Sequence, residues 1–443
     1  MSAVSDAGPG RDFLALSRRF LDVLGADGLG SESDQRRFAV DGIEPSWVLL
    51  PASASEAESA LRAAAEHDLA VVPAGLGARL GIGRPPERLD CVLSTRRMDR
   101  IVEHAAADLT VTVEAGATIA AVQDALRPAG QWLPFDPPRP GETTIGGLIA
   151  AQAGGPSRQA FGTARESLLG VHAVLADGRR VKSGGRVVKN VAGYDLHKLL
   201  VGSFGTLAVL VEATFKLQPL PEASRWLSFG ASAVEPLART ASALAASVLG
   251  PRILELLVSS EREPRLVAGF VGVAEDVEDA ARRAVPPAEA AGARLADEPI
   301  DEPSLRAALE EIGAGKELVL RAGVRRSDLA RWIDTALARC RDAGLRVAAH
   351  THAGIGVTRL RVDGVSRESA GHSRESARQL IAALRESALA AGGYLVVENA
   401  PVEWKRDLDV WGPPLVRISL LKGIKQTFDP GRRLAPGRFV GGI

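Results

Sequence analysis

Cysteine is nearly absent, with Cys91 and Cys340 alone in 443 residues. Two are too few for an iron–sulfur cluster, a zinc ribbon or a disulfide scaffold, and they fit a reducing compartment. Net charge is absent too, because 54 Lys and Arg balance 54 Asp and Glu. Long-range steering toward nucleic acid or an anionic membrane is therefore not expected, and any polyanion must be held by local backbone donors or a few placed arginines. No apolar run reaches the ~18 residues of a membrane span. The most apolar stretch, Leu199 to Val211, is cut by Gly202, Ser203, Gly205 and Thr206 and reads as a buried strand with its entry turn. Met1 to Gly10 lacks the basic flank and apolar stretch of a signal peptide, so a cytoplasmic chain without a transmembrane segment is expected.

What is present is ordinary for a soluble globular protein: 46% hydrophobic and 24% charged residues, in a length that suggests two or three domains. Phe13, Leu14, Leu16, Phe20, Leu21 and Leu24 fall at helical spacing, so residues 1–42 form an N-terminal helical segment. From Trp47 the pattern becomes strand (WVLLP), helix (from Ser53-Ala-Ser-Glu56, a capping box, to about Asp68), strand (Leu69 to Val72) and glycine loop. Residues 109–116 alternate as a strand should, and Thr118 caps a helix to Ala129. A proline cluster and a glycine-rich segment follow, then strands at VHAVLADGRRV, turned at Asp177-Gly178, and at TLAVLVEATFKLQPLP. Pro219 and Pro221 mark a boundary. Over 222–412, alanine-rich helical stretches (232–249, 274–295, 327–343, 373–391) alternate with strands, an α+β domain with an antiparallel sheet. The quasi-repeat over 366–377 has one period and reads as an exposed connector. The tail 413–443 carries one helical stretch, stopped by Asp429-Pro430-Gly431.

Two glycine-dense blocks carry the chemistry. The loop Pro73-Ala74-Gly75-Leu76-Gly77-Ala78-Arg79-Leu80-Gly81-Ile82-Gly83 follows a strand. Glycines let consecutive N–H groups approach and cradle a pyrophosphate, although a glycine-rich turn between strands is the competing reading. A nicotinamide fingerprint would need G-x-G-x-x-G opening a long helix. The spacing here is G-x-G-x-x-x-G, and Arg84-Pro85-Pro86 cannot continue a helix. The second block runs from Pro140 through Thr143, Thr144, Gly146, Gly147, Gly154, Gly155 and Gly162 to Arg165. A long ligand lying between two subdomains explains both blocks.

At these residues the chain resembles a known family. The pattern strand-P-x-G-x-G, TIGG, FGTARESLLG and GRVVKNVAGYDLHKLLVGSFGTLAVLVEATFKLQP is similar to the FAD-binding subunits of bacterial glycolate oxidase, within the vanillyl-alcohol-oxidase-like, PCMH-type flavoproteins. It is dense over 45–220 and looser in the tail, where TFDPGRRLAPGR resembles the family's terminal signature. The resemblance implies an α+β fold: a PCMH-type FAD-binding domain of two α+β subdomains over 43–221, an α+β cap domain over 222–412, and a tail returning to the FAD domain. It implies that Ala74, Gly75, Leu76, Gly77, Ala78 and Arg79 hold the pyrophosphate, with Thr143, Gly146, Gly147, Gly154, Gly162 and Arg165 along the cofactor and Gly205 and Val209 near the adenosine or ribityl end. Family members often carry R-G-G-G-T where this chain has Ala74 to Ala78, so a hydroxyl donor is missing and Arg79 is the substitute. Neither block contains His or Cys, so FAD is expected to be non-covalent.

Oxidising a 2-hydroxy acid needs a base, a cation for the carboxylate and a hydride acceptor. His350-Thr351-His352-Ala353-Gly354-Ile355-Gly356-Val357-Thr358-Arg359 and Glu398-Asn399 are similar to segments that hold a divalent metal in catalytic D-2-hydroxyacid dehydrogenases. His352 and Glu398 match, but Arg359 and Asn399 stand where histidines should be. A guanidinium about 5 Å from a dication is repelled by several kcal/mol even at an effective dielectric near 20, so no metal is expected. His352, Arg321 and Tyr194 are the catalytic candidates. The competing readings are strand histidines for His350 and His352, a surface or salt-bridged acid for Glu398, an exposed residue for Arg321, and core and cap for Tyr194 and Asp195. His197 and Lys198 read as a solvated helix face. Three functions follow. The first is an FAD subunit of a glycolate-oxidase-like complex acting on a small 2-hydroxy acid, with a second flavin subunit and an iron–sulfur subunit, peripheral to the inner membrane only through partners. The second is a self-sufficient enzyme, and the third an FAD-holding scaffold.

Overall fold

The computed structural model describes residues 13–186, 193–297, 300–313, 317–365 and 374–443. Residues 1–12, 187–192 and 366–373 lie outside it, and with them Met1 to Gly10, part of the KNVAGYDLHKL run and most of the quasi-repeat. Strands β1 (Trp47–Leu49), β2 (Val71–Ala74) and β3 (Cys91–Ser94) form a parallel sheet in the order β1-β3-β2. The helix Ala54–Glu66 joins β1 to β2, with the Ser53 hydroxyl accepting from Glu56 N at 3.2 Å. Both faces of this sheet are covered, so its strands are apolar throughout rather than alternating. β3 is four residues long and lacks any periodic signal, which is why the sequence did not announce it.

The second sheet is antiparallel, with β4 (Ile101–Ala105), β5 (Thr110–Glu114), β6 (Leu168–Val174), β7 (Arg180–Gly184) and β8 (Val209–Lys216) in the order β4-β5-β8-β6-β7. Thr118 caps the helix Ile119–Leu126 through Ala121 N at 3.2 Å. Thr144 caps the short helix Ile145–Ala150 through Gly147 N at 3.1 Å. His197 is buried rather than solvated, with its amide donating to Ser183 Oγ at 2.9 Å.

The third sheet has eight strands, β9 (Ala223–Gly230), β10 (Ile253–Ser259), β11 (Arg265–Gly272), β12 (Arg294–Leu295), β13 (Leu318–Gly323), β14 (Arg346–His352), β15 (Val357–Asp363) and β16 (Tyr394–Asn399), in the order β12-β9-β11-β10-β14-β15-β13-β16. Helices Val234–Ala246, Ala274–Ala290, Leu329–Asp342 and Arg374–Ala390 pack on one face over Leu254, Leu256, Leu320, Ala349, Leu360 and Val397. Side chains alternate along a strand, so the intervening residues face the other way. Those residues are Glu255, His350, His352, Arg359, Arg321 and Glu398. Register then sets Glu255 opposite His352, His350 opposite Arg359, and Arg359 opposite Arg321.

Two connections hold this polar face against the glycine blocks. Ser157 accepts from Arg252 Nε at 2.8 Å and donates to Asp136 at 2.6 Å, all three being buried. The tail pairs with β2, where Val71 N donates to Arg433 O and Ala435 N donates to Val71 O, both at 2.8 Å. Its buried Lys425 ammonium donates to Thr206 O and Asp429 Oδ2 at 2.7 Å and to Leu434 O at 2.8 Å. Among the described residues no helix is long and apolar enough to cross a membrane.

Candidate functional site

Two adjoining cavities share Ala78, Arg79, Ile82 and Ala151 in their walls. The first is lined by the loop Pro73 to Leu80, by Thr144, Gly146 and Gly147, and by Phe204, Gly205, Val209 and Arg438. Glycine is required in two places for different reasons. A Cβ on Gly75 would stand 2.1 Å from the Thr144 hydroxyl, so the two glycine blocks touch there. Gly77 has φ +87°, which side chains rarely adopt.

Two guanidiniums, the half-buried Arg79 and the buried Arg438, face this cavity without a carboxylate partner among the described residues. Arg79 donates only to the Thr143 hydroxyl, at 3.1 Å, and burial lowers its pKa to about 10. Arg438 donates from Nη2 to Leu80 O and Ile82 O at 2.5 and 2.7 Å, while its buried Nη1 has no partner. Burial lowers it to about 10 as well. Orphaned cations on a bare-backbone loop suit a diphosphate, whose oxygens accept from guanidinium and amide alike.

The second cavity, about 290 Å³, opens onto the polar face of the eight-stranded sheet. Arg359 grips Glu398 through Nε at 2.6 Å and Nη2 at 3.3 Å, and Arg321 Nε lies 3.1 Å from the same carboxylate. Burial alone would raise the Glu398 pKa, but the attraction of Arg359 and then Arg321 outweighs it and leaves it lowered to about 2. Asn399 turns to the backbone, donating to Glu317 O at 2.9 Å. His352 Nδ1 hydrogen-bonds Glu255, which is fully buried, and His350 Nδ1 lies 3.4 Å from the other oxygen of that carboxylate. Burial raises the Glu255 carboxyl and lowers His350 to about 4 and His352 to about 3, the latter with help from the nearby Arg158 and Arg359 charges. Both rings are therefore neutral at pH 7. The ligand atoms of Glu255, His350 and His352 lie within 4.8 Å of one another, a spacing that could hold a cation.

Most residues expected along the cofactor meet at the first cavity: Ala74, Gly75, Leu76, Gly77, Ala78, Arg79, Gly146, Gly147, Gly205 and Val209. Thr143 stands one layer behind, accepting from Arg79 and donating to Pro138 O at 3.1 Å, and Thr144 takes the lining position. Gly154 lines the second cavity. Gly162 and Arg165 line neither. Gly162 ends the helix Arg158–Phe161 at φ +75°, and the exposed Arg165 donates to Lys198 O at 2.9 Å. Tyr194 is 90% exposed and also lines neither, whereas His352 and Arg321 both line the second. Sequence reasoning missed Arg438, Arg158 and Glu255. For Glu255 a signal existed, a lone carboxylate inside the apolar run Ile253 to Val258. The other two carry none.

Comparison with known proteins shows which domains the chain carries. The family model described as FAD binding domain matches residues 45–184, and that of the FAD linked oxidases, C-terminal domain, matches 318–439. The chain carries an FAD binding domain and the C-terminal domain of FAD linked oxidases. It is thus an FAD-dependent oxidoreductase, and the first cavity fits its cofactor. The chain is 35% identical to the glycolate oxidase subunit GlcD of Bacillus subtilis over 213 residues, 48% of this chain and 45% of that protein. With the D-lactate dehydrogenase of Archaeoglobus fulgidus it shares 42% over 174 residues, 39% of this chain and 38% of that one. The chain thus spans less than half the length of both relatives. An uncharacterized FAD-linked oxidoreductase of Mycobacterium tuberculosis, Rv2280, is 28% identical over 90% of this chain and 91% of its own. The crystal structure of p-cresol methylhydroxylase superposes with a TM-score of 0.77 at 16% identity, covering 96% of each chain. That of an alkyldihydroxyacetonephosphate synthase does so at 0.74 and 16%, covering 98% of this chain and 87% of the other. The fold is the PCMH-type flavoprotein fold that the resemblance implies.

Proposed function

We propose that the chain oxidises a small 2-hydroxy acid to its 2-oxo acid, as an FAD-holding subunit that passes electrons to an iron–sulfur partner. The observation that supports this is the second cavity, where a neutral histidine held by a carboxylate and an arginine–glutamate cluster open onto the wall shared with the cofactor cavity. FAD, held non-covalently, supplies the hydride acceptor.

The residues divide the remaining work. The acid must lose a proton from its hydroxyl and a hydride from C2. His352 takes the proton: Glu255 accepts from its Nδ1–H, which leaves the Nε2 lone pair toward the cavity. Once Nε2 is protonated, the contacting Glu255 carboxylate offsets part of the burial and of the Arg158 and Arg359 charges that disfavour the imidazolium. Arg321 and Arg359, fixed by Glu398, orient the substrate carboxylate, because a guanidinium fork matches carboxylate geometry. Arg158 and Arg359 already bring positive charge to this cavity, so we read the Glu255 contact as proton handling rather than cation binding. The two buried cysteines are too few to ligate a cluster, so electrons leave through a partner or a diffusible acceptor.

Anaerobic mixing of the purified holoprotein with glycolate, D-lactate and D-2-hydroxyglutarate tests the reading. Bleaching of the yellow flavin is expected, slowed ~10²-fold or more by His352→Gln with flavin content intact. Bleaching only when the iron–sulfur and second flavin subunits are added supports the subunit role. Failure of every 2-hydroxy acid, with and without partners, would overturn it.

A further inference from the structure

The wall of the second cavity carries five arginines, Arg79, Arg139, Arg158, Arg321 and Arg359, against two carboxylates, Glu310 and Glu398, and Glu310 accepts from the Arg139 amide at 2.9 Å. Arg321 and Arg359 share Glu398, so that cluster keeps one net positive charge. Arg158, beside the cluster on the helix Arg158–Phe161, lines the same cavity and has no carboxylate partner among the described residues. Burial holds its pKa below the ordinary guanidinium value, with Tyr394 and Glu255 opposing that lowering and Arg321 and Arg359 adding to it. The other two arginines in the wall are occupied elsewhere. Arg139 pairs with Glu142 at 3.0 Å, and Arg79 also faces the cofactor cavity, where a diphosphate meets it.

We propose that the substrate carries a second acidic group: one carboxylate beside the hydroxyl sits on the Arg321–Arg359–Glu398 cluster, and a second carboxylate or a phosphate pairs with Arg158. This rests on the 2-hydroxy-acid reading and narrows its substrate class. Arg158 is half-buried in the cavity wall, where a guanidinium without a counter-ion favours an anion, and a ligand bearing one carboxylate leaves it unpaired. Glycolate and lactate have no group to offer it. A dicarboxylic or phosphorylated 2-hydroxy acid does, and guanidinium binds both end groups in the same bidentate way.

The test separates binding from turnover. Calorimetric titration of the holoprotein with glutarate and with butyrate, neither of which can be oxidised by this chemistry, measures the worth of the second charge. Glutarate is expected to bind roughly 10- to 100-fold more tightly at low salt, the value of a charge-assisted hydrogen bond. Arg158→Met should narrow that ratio to below about threefold, and Arg158→Lys, which keeps the charge but not the fork, should fall between. Retained flavin absorbance shows that each variant is folded. Equal binding of the two acids, binding of neither, or a ratio that survives Arg158→Met refutes the proposal. Flavin reduction by malate and 2-hydroxyglutarate against 3-phosphoglycerate then shows whether the second group is carboxylate or phosphate, with lactate and glycolate as single-charge controls. If glutarate is preferred yet no hydroxy acid bleaches the flavin, the redox reading fails and the doubly anionic ligand stands. If glycolate bleaches it and glutarate has no advantage, only the present inference fails.

Discussion

Gly75→Ala puts one methyl group where the two glycine blocks meet. The new Cβ would lie 2.1 Å from Thr144 Oγ1, 2.8 Å from its Cγ2 and 3.0 Å from its Cβ, so the threonine must move. Moving it breaks the cap on Gly147 N, a loss of about 0.5–2 kcal/mol. Overpacking in a close-packed region adds about 1–3 kcal/mol. The sum, roughly 1.5–5 kcal/mol, corresponds to a melting temperature lower by on the order of 3–20 °C for a domain of this size. The displaced threonine also lines the cofactor cavity, so flavin retention should fall together with stability. Thermal melting and the ratio of flavin to protein absorbance read the two effects. Thr144→Ala alone should cost about 1 kcal/mol. Combined with Gly75→Ala it removes the two nearest clashing atoms, Oγ1 and Cγ2, so the double variant should be more stable than Gly75→Ala alone, with an interaction energy of roughly 0.5–3 kcal/mol. Strict additivity, or full flavin content in Gly75→Ala, would show that the contact does not shape the cradle.

Two further predictions concern charge. Arg438→Met should weaken FAD binding roughly 10- to 100-fold, since a buried donor facing the cofactor cavity is removed, and flavin release during dialysis measures it. Stability should also fall on acidification. His350 and His352 take up protons in the unfolded chain near pH 6.5 but in the fold only at about 4 and about 3, so their contribution is lost as the pH drops through that window. Glu398, with a folded value of about 2, contributes on the order of 3 kcal/mol above pH 5 that disappears between about pH 5 and pH 2. Glu255, raised by burial, opposes this trend. Urea midpoints from pH 7 down to pH 4 should therefore decline. The decline should be shallower in Glu398→Gln, and an unchanged slope there would refute the assignment.

The sequence by itself determined the local signals and the cofactor. Ser53 and Thr118 start the helices that their side chains cap, because a hydroxyl at the N-cap satisfies an otherwise orphaned amide. The glycine blocks were legible because positive φ and close approach exclude most other residues, and that requirement is written in composition. What escaped were features without local periodicity: the four-residue β3, and the burial of His197, which depends on Ser183 fourteen positions away.

Only the tertiary structure decided the second cavity. Glu255 meets His352 across 97 residues because antiparallel register sets β10 beside β14, and Arg158 arrives from a short helix. Strand alternation predicts that each such residue leaves the core, but not which neighbour it meets. Partnership across a sheet is fixed by strand order and register, and those are set by the packing of all eight strands together rather than by any one segment.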